Sequence, residues 1–278
     1  MDKQFKGFGL TISHVSALSG GLTNACLKVE AKEGSFVWRP ISLQAKILGA
    51  DRAKEHEILQ ALSDESFSPN VYGANEEGLL VDWLDGEVIA LDKAQDVAVD
   101  LLCSVHQVSL DKLSEQIKNK PMSLKDRIID YWNSITPENQ TSEMKAYFEY
   151  FSLQDEQAFF SHCLCHYDIG AYNIIVKEDG YGLIDWEYAS MGDPSQDLTS
   201  MIIANQFDMD DVISLYCQKR RLNIDEWKRA VIHWTPWVTF MGALWFSLGY
   251  QLLKNTCYQE LAEREMCKLI KLLPSIHK

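Results

Sequence analysis

With 278 residues, 46% of them hydrophobic and 24% charged, the chain can build one large domain or two lobes around a substantial core, and its composition argues against disorder. Its formal charge of −14 argues against the basic face that nucleic acid or an anionic membrane requires, and it suits a cationic partner better. Seven cysteines without paired spacing imply reduced thiols in a cytoplasmic protein, no apolar leader follows Met1-Asp-Lys-Gln-Phe-Lys6, and the longest apolar run, Trp237 to Leu248, is about a dozen residues, too short to span a bilayer.

From the amino terminus, Ile12–Val15, Ala25–Val29 and Ser35–Arg39 are β-rich, separated by Ser19-Gly20-Gly21 and Lys32-Glu33-Gly34. Glycines between the first two strands either make an ordinary hairpin turn or let backbone N–H groups approach a phosphate. Arg39 closes the third strand behind Phe36-Val-Trp38, where a bare solvated strand end is the weaker reading. A helix is predicted over Asp51 to Leu62, with Ile58, Leu59 and Leu62 at helical spacing. Gly78-Leu-Leu-Val-Asp-Trp-Leu84 then forms a buried strand that runs into a turn at Asp85-Gly86.

Beyond Asp92 the pattern becomes helical. Val97, Leu101, Leu102 and Val105 make one apolar face that His106 closes as a structural helix-end residue. Further helices are predicted over 123–135, with Ser123 as N-cap, and over 141–160.

The stretch His166 to Glu187 is predicted to be a loop followed by a hairpin. Asn173–Lys177 and Tyr181–Asp185 are its strands and Glu178-Asp179-Gly180 its turn. Closure about Asp179 would set Asn173 opposite Asp185, with Cβ atoms roughly 5 Å apart. An amide oxygen beside a carboxylate suits Mg²⁺, which takes a few hard oxygens plus water and phosphates. Asp168 enters the same end as a second carboxylate able to accept a proton. After the hairpin, Gly192-Asp193-Pro194 is a turn and Asp197 is placed to cap the next helix. Glu187, on the same predicted strand face as Asp185, is a second metal ligand or a contact to a substrate cation.

In the last third, Asp225–His233 makes one helix and Thr235-Pro236 starts another. Trp237, Met241 and Trp245 follow at helical spacing, a pattern that belongs to a core more often than to a ligand box.

His166-x-Asp168, four residues, Asn173, a hairpin and Ile184-Asp-Trp-Glu187 together resemble the aminoglycoside phosphotransferase and choline kinase superfamily, closest to its choline kinase-like and bacterial thiamine kinase-like branch. Asp185-Trp186-Glu187 stands where protein kinases carry Asp-Phe-Gly. The resemblance implies an α+β, protein kinase-like fold, with a small antiparallel-sheet lobe over 1–85 for the nucleotide and a larger helical lobe over 86–278. It implies ATP and Mg²⁺ as cofactors. The nucleotide would meet Gly20, Gly21 and Asn24 in the glycine-rich turn, Arg39 paired with Glu55, and the backbone of a hinge at Asp82, Trp83 and Leu84. Asp168, with His166, would carry the proton chemistry, and Asn173, Asp185 and Glu187 would hold metal. Trp234-Thr-Pro-Trp237, with the aromatic helix through Tyr250, is similar to the segment that boxes a quaternary ammonium by cation–π attraction. Leu261 departs from the pattern where choline kinases carry another aromatic. The activity implied is ATP-dependent phosphorylation of a small cationic alcohol of the choline, ethanolamine or thiamine kind. The alternatives are an aminoglycoside-type kinase, which would use acidic contacts, and a nucleotide-binding pseudokinase. Oligomeric state is left open.

Overall fold

The computed structural model describes residues 4–5, 7–18 and 25–277, so the expected phosphate contacts at Gly20, Gly21 and Asn24 lie outside the described residues. The N-terminal part is a five-stranded sheet. β1 (Ile12–Ala17), β2 (Leu27–Ala31) and β3 (Gly34–Pro40) form a meander. Two helices follow: α1 (Leu43–Ile47), capped by Ser42, and α2 (Arg52–Ala61), whose first N–H groups bond the Asp51 carboxylate at 3.1 Å. β4 (Val71–Asn75) and β5 (Gly78–Asp82) complete the sheet in the order β1-β2-β3-β5-β4, antiparallel throughout. One sheet face buries Phe5, Val29, Phe36, Trp38 and Leu80, and the other packs Leu79 and Val81 against Ile58 and Leu59 of α2 and its C-cap Leu62. Alternation along β3 and β5 therefore makes two cores from one sheet.

The remainder is mainly helical. β6 (Glu87–Val88) leads to α3 (Ala94–Val105), α4 (Glu115–Lys118), α5 (Leu124–Ser134) and α6 (Ser142–Leu153). Then come β7 (Cys163–Cys165), β8 (Ile174–Lys177), β9 (Gly180–Leu183) and β10 (Ser190–Gly192), followed by α7 (Pro194–Asn205), α8 (Met209–Arg220), α9 (Ile224–Leu253) and α10 (Thr256–Leu272). β6, β8 and β9 form one small sheet, and β7 pairs with β10 in another. A mixed α+β fold with an antiparallel N-terminal sheet and a larger helical part is thus the architecture expected. Among the described residues no helix is long and apolar enough to cross a membrane. All seven cysteines are free thiols, and Cys26, Cys103, Cys165 and Cys217 are buried.

Three expectations change. α6 ends at Leu153 rather than running to 160, because the following segment is needed elsewhere: Glu156 turns back to cap α5, accepting from Ser123 Oγ at 2.7 Å and from Leu124 N at 2.9 Å. The break expected at Pro236 does not occur, and α9 is one helix of 30 residues, about 45 Å long. The proline displaces a backbone bond beside exposed Ile232, Thr235 Oγ1 donates to Val231 O at 2.7 Å, and core packing on the other face holds both halves together. Finally, Asp193 rather than Asp197 caps α7, accepting from Ser195 N at 2.8 Å.

Candidate active site

The hairpin forms one residue out of the expected register. Ile174 pairs with Leu183 and Lys177 with Gly180, so the turn is Glu178-Asp179, and Gly180 takes the positive φ of 137° that its backbone needs. Asn173 therefore faces Ile184, whose N–H donates to Asn173 O at 2.9 Å, and not Asp185. Asp185 lies past the end of β9 in a left-handed conformation (φ 68°), at the mouth of a single helical turn over Trp186–Tyr188. That turn swings the Asp185 carboxylate back towards the sheet, so the two residues still share one end of the hairpin by a different route. Glu187, on the turn and not on a strand, follows it.

The loop that carries Asp168 is held from below by α7. Asp197, in the first turn, accepts from the backbone N–H of His166 at 2.7 Å and of Tyr167 at 2.8 Å, and it meets His106 Nε2 at 3.1 Å. The other His106 nitrogen meets Tyr216 Oη at 2.7 Å, which gives His106 the structural place expected of it. Two turns along α7, Asn205 accepts from Ala171 N at 2.7 Å and donates to Ile169 O at 2.8 Å. These bonds hold Tyr167 at a strained φ of 66° and aim Asp168 out of the loop.

His166, expected beside Asp168 in the proton chemistry, has no free ring nitrogen. It is fully buried, its Nδ1 accepts from Asp168 N at 3.2 Å and its Nε2 lies 3.2 Å from Ile184 O, so both ring nitrogens are engaged by backbone. Burial pushes its pKa down to about 4, and a neutral ring ties the loop that carries Asp168 to the hairpin.

Asp168 accepts from Asn173 Nδ2 at 2.9 Å on one oxygen and from Tyr172 Oη at 2.6 Å on the other. Burial raises its pKa to about 8; nearby Asp185 adds to the rise and the Tyr172 hydrogen bond opposes it. Desolvation pushes the Asp185 pKa up as well, but the Arg39 guanidinium bonded to it outweighs that and holds it below the ordinary carboxylate range. Glu187 is shifted upward by burial and by Asp185.

The expected Arg39–Glu55 pair is present, with Nε to Oε1 at 2.7 Å. Arg39 also contacts Asp185 and Glu187, the latter at 3.3 Å. Arg52, which the sequence reading missed, reaches Glu55 at 2.6 Å and Glu187 at 2.8 Å. Its signal was the Arg52-x-x-Glu55 spacing on one face of α2. Glu187 thus belongs to the ion network between sheet and hairpin. Four carboxyl groups (Glu55, Asp168, Asp185 and Glu187) gather near two guanidinium groups, more acids than cations, and a divalent cation would favour their ionised forms. The donor set of hard oxygens fits Mg²⁺.

These groups open on one cavity of about 950 Å³. Arg39, Glu55, Asp168, Asn173, Asp185 and Glu187 line its middle. Asp82, Trp83 and Leu84 line it at the end of β5, although the Asp82 and Trp83 N–H groups already donate to Asn70 O and Ser35 O, at 2.9 and 3.0 Å. At the far end stand Met241, Trp245, Phe246, Leu261 and Glu265, from α9 and α10.

Trp234 and Trp237 do not line that cavity. Trp234 is fully buried, donates its indole N–H to Ser195 Oγ at 3.1 Å and packs edge-on against Phe159. Trp237 is buried against Phe151. The helix turns both rings into the core because α5 and α6 cover that face. Tyr250 lies beyond the cavity, with Lys254 5.8 Å from its ring centroid. The cavity's tryptophan is Trp245, two turns past Trp237, with its indole N–H on Tyr188 Oη at 3.1 Å. Its place in the same helical stripe was visible in the sequence; the stripe's change of environment was not.

The chain is similar to known proteins in sequence and in fold. A thiamine kinase of Salmonella typhi is 24% identical over 211 residues, 76% of this chain and 74% of the relative. The choline kinase of Cryptosporidium parvum Iowa II superposes with a TM-score of 0.74 at 14% identity, over 95% of this chain and 89% of that one. The choline kinase LicA of Streptococcus pneumoniae superposes with a TM-score of 0.71 at 15% identity, over 95% and 94%. Residues 14–230 match the phosphotransferase enzyme family (APH), and the chain belongs to that family as a small-molecule kinase.

Proposed function

We propose that the protein moves the γ-phosphoryl group of ATP to the hydroxyl of a small cationic alcohol, with thiamine, choline and ethanolamine as the candidate acceptors. The observation that carries this reading is the meeting of Asp168, Asn173, Asp185 and the Arg39–Glu55 pair on one cavity, between the end of β5 and the aromatic α9. In this reading residues 1–85 form the nucleotide lobe and 86–278 the catalytic and acceptor lobe. Adenine lies against Asp82–Leu84, where carbonyls and the Leu84 N–H serve it better than the two N–H groups already bonded within the sheet.

Arg39, braced by Glu55 and Arg52, exchanges its contact with Asp185 for oxygens of the α- and β-phosphates, which a guanidinium grips in a bidentate way. Asn173 and Asp185 would hold Mg²⁺, with Glu187 beside them, and the ion would supply charge neutralisation at the phosphates. Asp168 orients the acceptor hydroxyl and takes its proton as the new O–P bond forms and the bond to the ADP oxygen breaks. The acceptor's cation lies against Trp245 and Phe246, whose aromatic faces suit a positive ligand. Lys268 and Arg264 also line this end, but Lys268 Nζ is 2.8 Å from Glu265 Oε1.

A screen of thiamine, choline, ethanolamine and kanamycin with ATP and Mg²⁺, read as phosphorylated product, tests the assignment. Product from one of the first three supports it. Product from kanamycin alone would move the protein to the aminoglycoside-type reading, and ATP binding with no product from any alcohol would remove the cationic-alcohol assignment.

A further inference from the structure

Tyr172 sits between the proposed base and the proposed metal ligand, and the kinase reading gives it no task. Its hydroxyl donates to Asp168 Oδ1 at 2.6 Å, in the way an acceptor alcohol must present its own O–H. The second oxygen, Oδ2, is held at 2.9 Å by Asn173 Nδ2. Both oxygens of the carboxylate are thus occupied, by donors of unlike character. Asn173 is 5% exposed and fixed in the wall, whereas Tyr172 is 54% exposed, lines the cavity, and rests its ring over Gly170, where a Cβ would come within 2.2 Å of ring carbons. A clamp meant to hold Asp168 permanently would be buried like Asn173. A half-exposed ring on a single helical turn, Ala171–Asn173, can leave by side-chain rotation alone.

We propose that Tyr172 is a stand-in for the acceptor: in the absence of alcohol its hydroxyl occupies Asp168, keeps water from that oxygen, and so restrains ATP hydrolysis until the alcohol displaces it. The reaction restrained is the one in which a water oxygen bonds to the γ-phosphorus, the bond from that phosphorus to the β–γ bridging oxygen breaks with its electron pair on ADP, and the water's proton passes to Asp168. The proposal rests on Asp168 being the base. It also explains why an aromatic hydroxyl stands one residue before a metal ligand: the same turn carries the group that must yield to the acceptor and the group that must stay.

The experiment compares the full-length protein with Tyr172→Phe and Gly170→Ala. Phenylalanine removes the hydroxyl; the alanine Cβ displaces the ring while keeping the hydroxyl on the chain, at a residue whose φ of −87° accepts alanine. ATP hydrolysis is measured with Mg²⁺ and no alcohol, and KM is then measured for the best acceptor of the screen. Both variants should raise alcohol-independent hydrolysis roughly fivefold and lower KM for the alcohol by a similar factor, the scale of one solvent-accessible hydrogen bond. A merely structural tyrosine would not give a gain of hydrolysis on removal. Unchanged or reduced hydrolysis with unchanged or raised KM, in either variant that melts within a few degrees of the parent, overturns the proposal and makes Tyr172 a fixed brace for Asp168. Asp168→Ala separates the two levels: if it keeps phosphorylating the alcohol, the kinase assignment of Asp168 has failed, whereas an inactive Asp168→Ala beside unmoved Tyr172→Phe and Gly170→Ala overturns the stand-in alone.

Discussion

The hairpin end and the middle of α9 are both rich in residues that chemistry can use, yet the first brings Asp168, Asn173 and Asp185 together on the cavity, whereas of Trp234, Trp237 and Trp245 only Trp245 reaches it. At the hairpin, residues 166–187 are close in sequence and tied to one another by short bonds: His166 to Ile184, Asn173 to Asp168, Ile184 to Asn173. In α9, Trp234, Trp237 and Trp245 are equally close in sequence, but what each ring faces is decided by distant elements, α5 and α6 on one side and the cleft on the other. A local hydrogen-bonded unit carries its geometry with it. A helical stripe carries only a direction, and its environment changes within two turns.

The largest effects should come from the hairpin end. Asp168→Ala and Asp185→Ala are each expected to lower kcat by roughly a thousandfold or more, the scale of losing a base or a charge-stabilising group in a phosphoryl transfer. Circular dichroism and melting temperature should stay near those of the parent, because both carboxylates line the cavity. Near-normal kcat in either variant would take that residue out of its role.

The core tryptophan gives the opposite signature. Trp234→Ala removes a fully buried indole and its bond to Ser195, so stability should fall by about 3–5 kcal/mol, read by denaturant titration. At temperatures where the variant is folded, KM for the alcohol should stay within about twofold of the parent, a change under ~0.5 kcal/mol. A KM raised tenfold without loss of stability would return Trp234 to the acceptor site and erase the contrast between the two regions.

His166 tests the hairpin end by pH. Its folded pKa of about 4 lies below the ordinary value of 6.5, so the unfolded state binds the extra proton first. The sign follows: stability is full above pH 6.5 and is lost as pH falls from 6.5 towards 4, by an amount on the order of 3 kcal/mol for this one group. His166→Asn should be less stable at pH 7 but should lose less of its stability across that window. Parallel curves for variant and parent would mean that the ring is not held neutral by its two backbone partners.

What the sequence disclosed follows the same division. The strands around Phe36-Val-Trp38 and Leu79–Val81 were legible because each alternates on a two-sided sheet, and the Asp168–Asn173–Asp185 group was legible because the chain barely leaves the site between them. The register was wrong by one residue because a two-residue turn and a three-residue turn fit Glu178-Asp179-Gly180 equally well, and only the positive φ at Gly180 decides. The supports were not legible at all. Asn205 reaches Ile169 and Ala171 across 36 and 34 residues, and Glu156 caps α5 from 32 residues away. Such bonds leave no spacing in the sequence, since loop closure over tens of residues imposes no fixed interval.

Trp245 offers the finest test of the contrast, because it belongs to the same stripe as Trp237 and yet lines the cavity. Removing a half-buried ring from the cavity wall should cost little stability, while a cation loses the ring face against which it would lie. Trp245→Ala is therefore expected to raise KM for the cationic acceptor roughly tenfold, about 1–2 kcal/mol of cation–π contact in a partly dry site, and to leave KM for ATP unchanged. Trp245→Phe keeps an aromatic face but loses the indole N–H on Tyr188, so it should recover most of the affinity if the ring acts through its π-face. Equal loss in the alanine and phenylalanine variants would shift the credit to the Tyr188 hydrogen bond, and no change in either would leave α9 without a part in holding the acceptor.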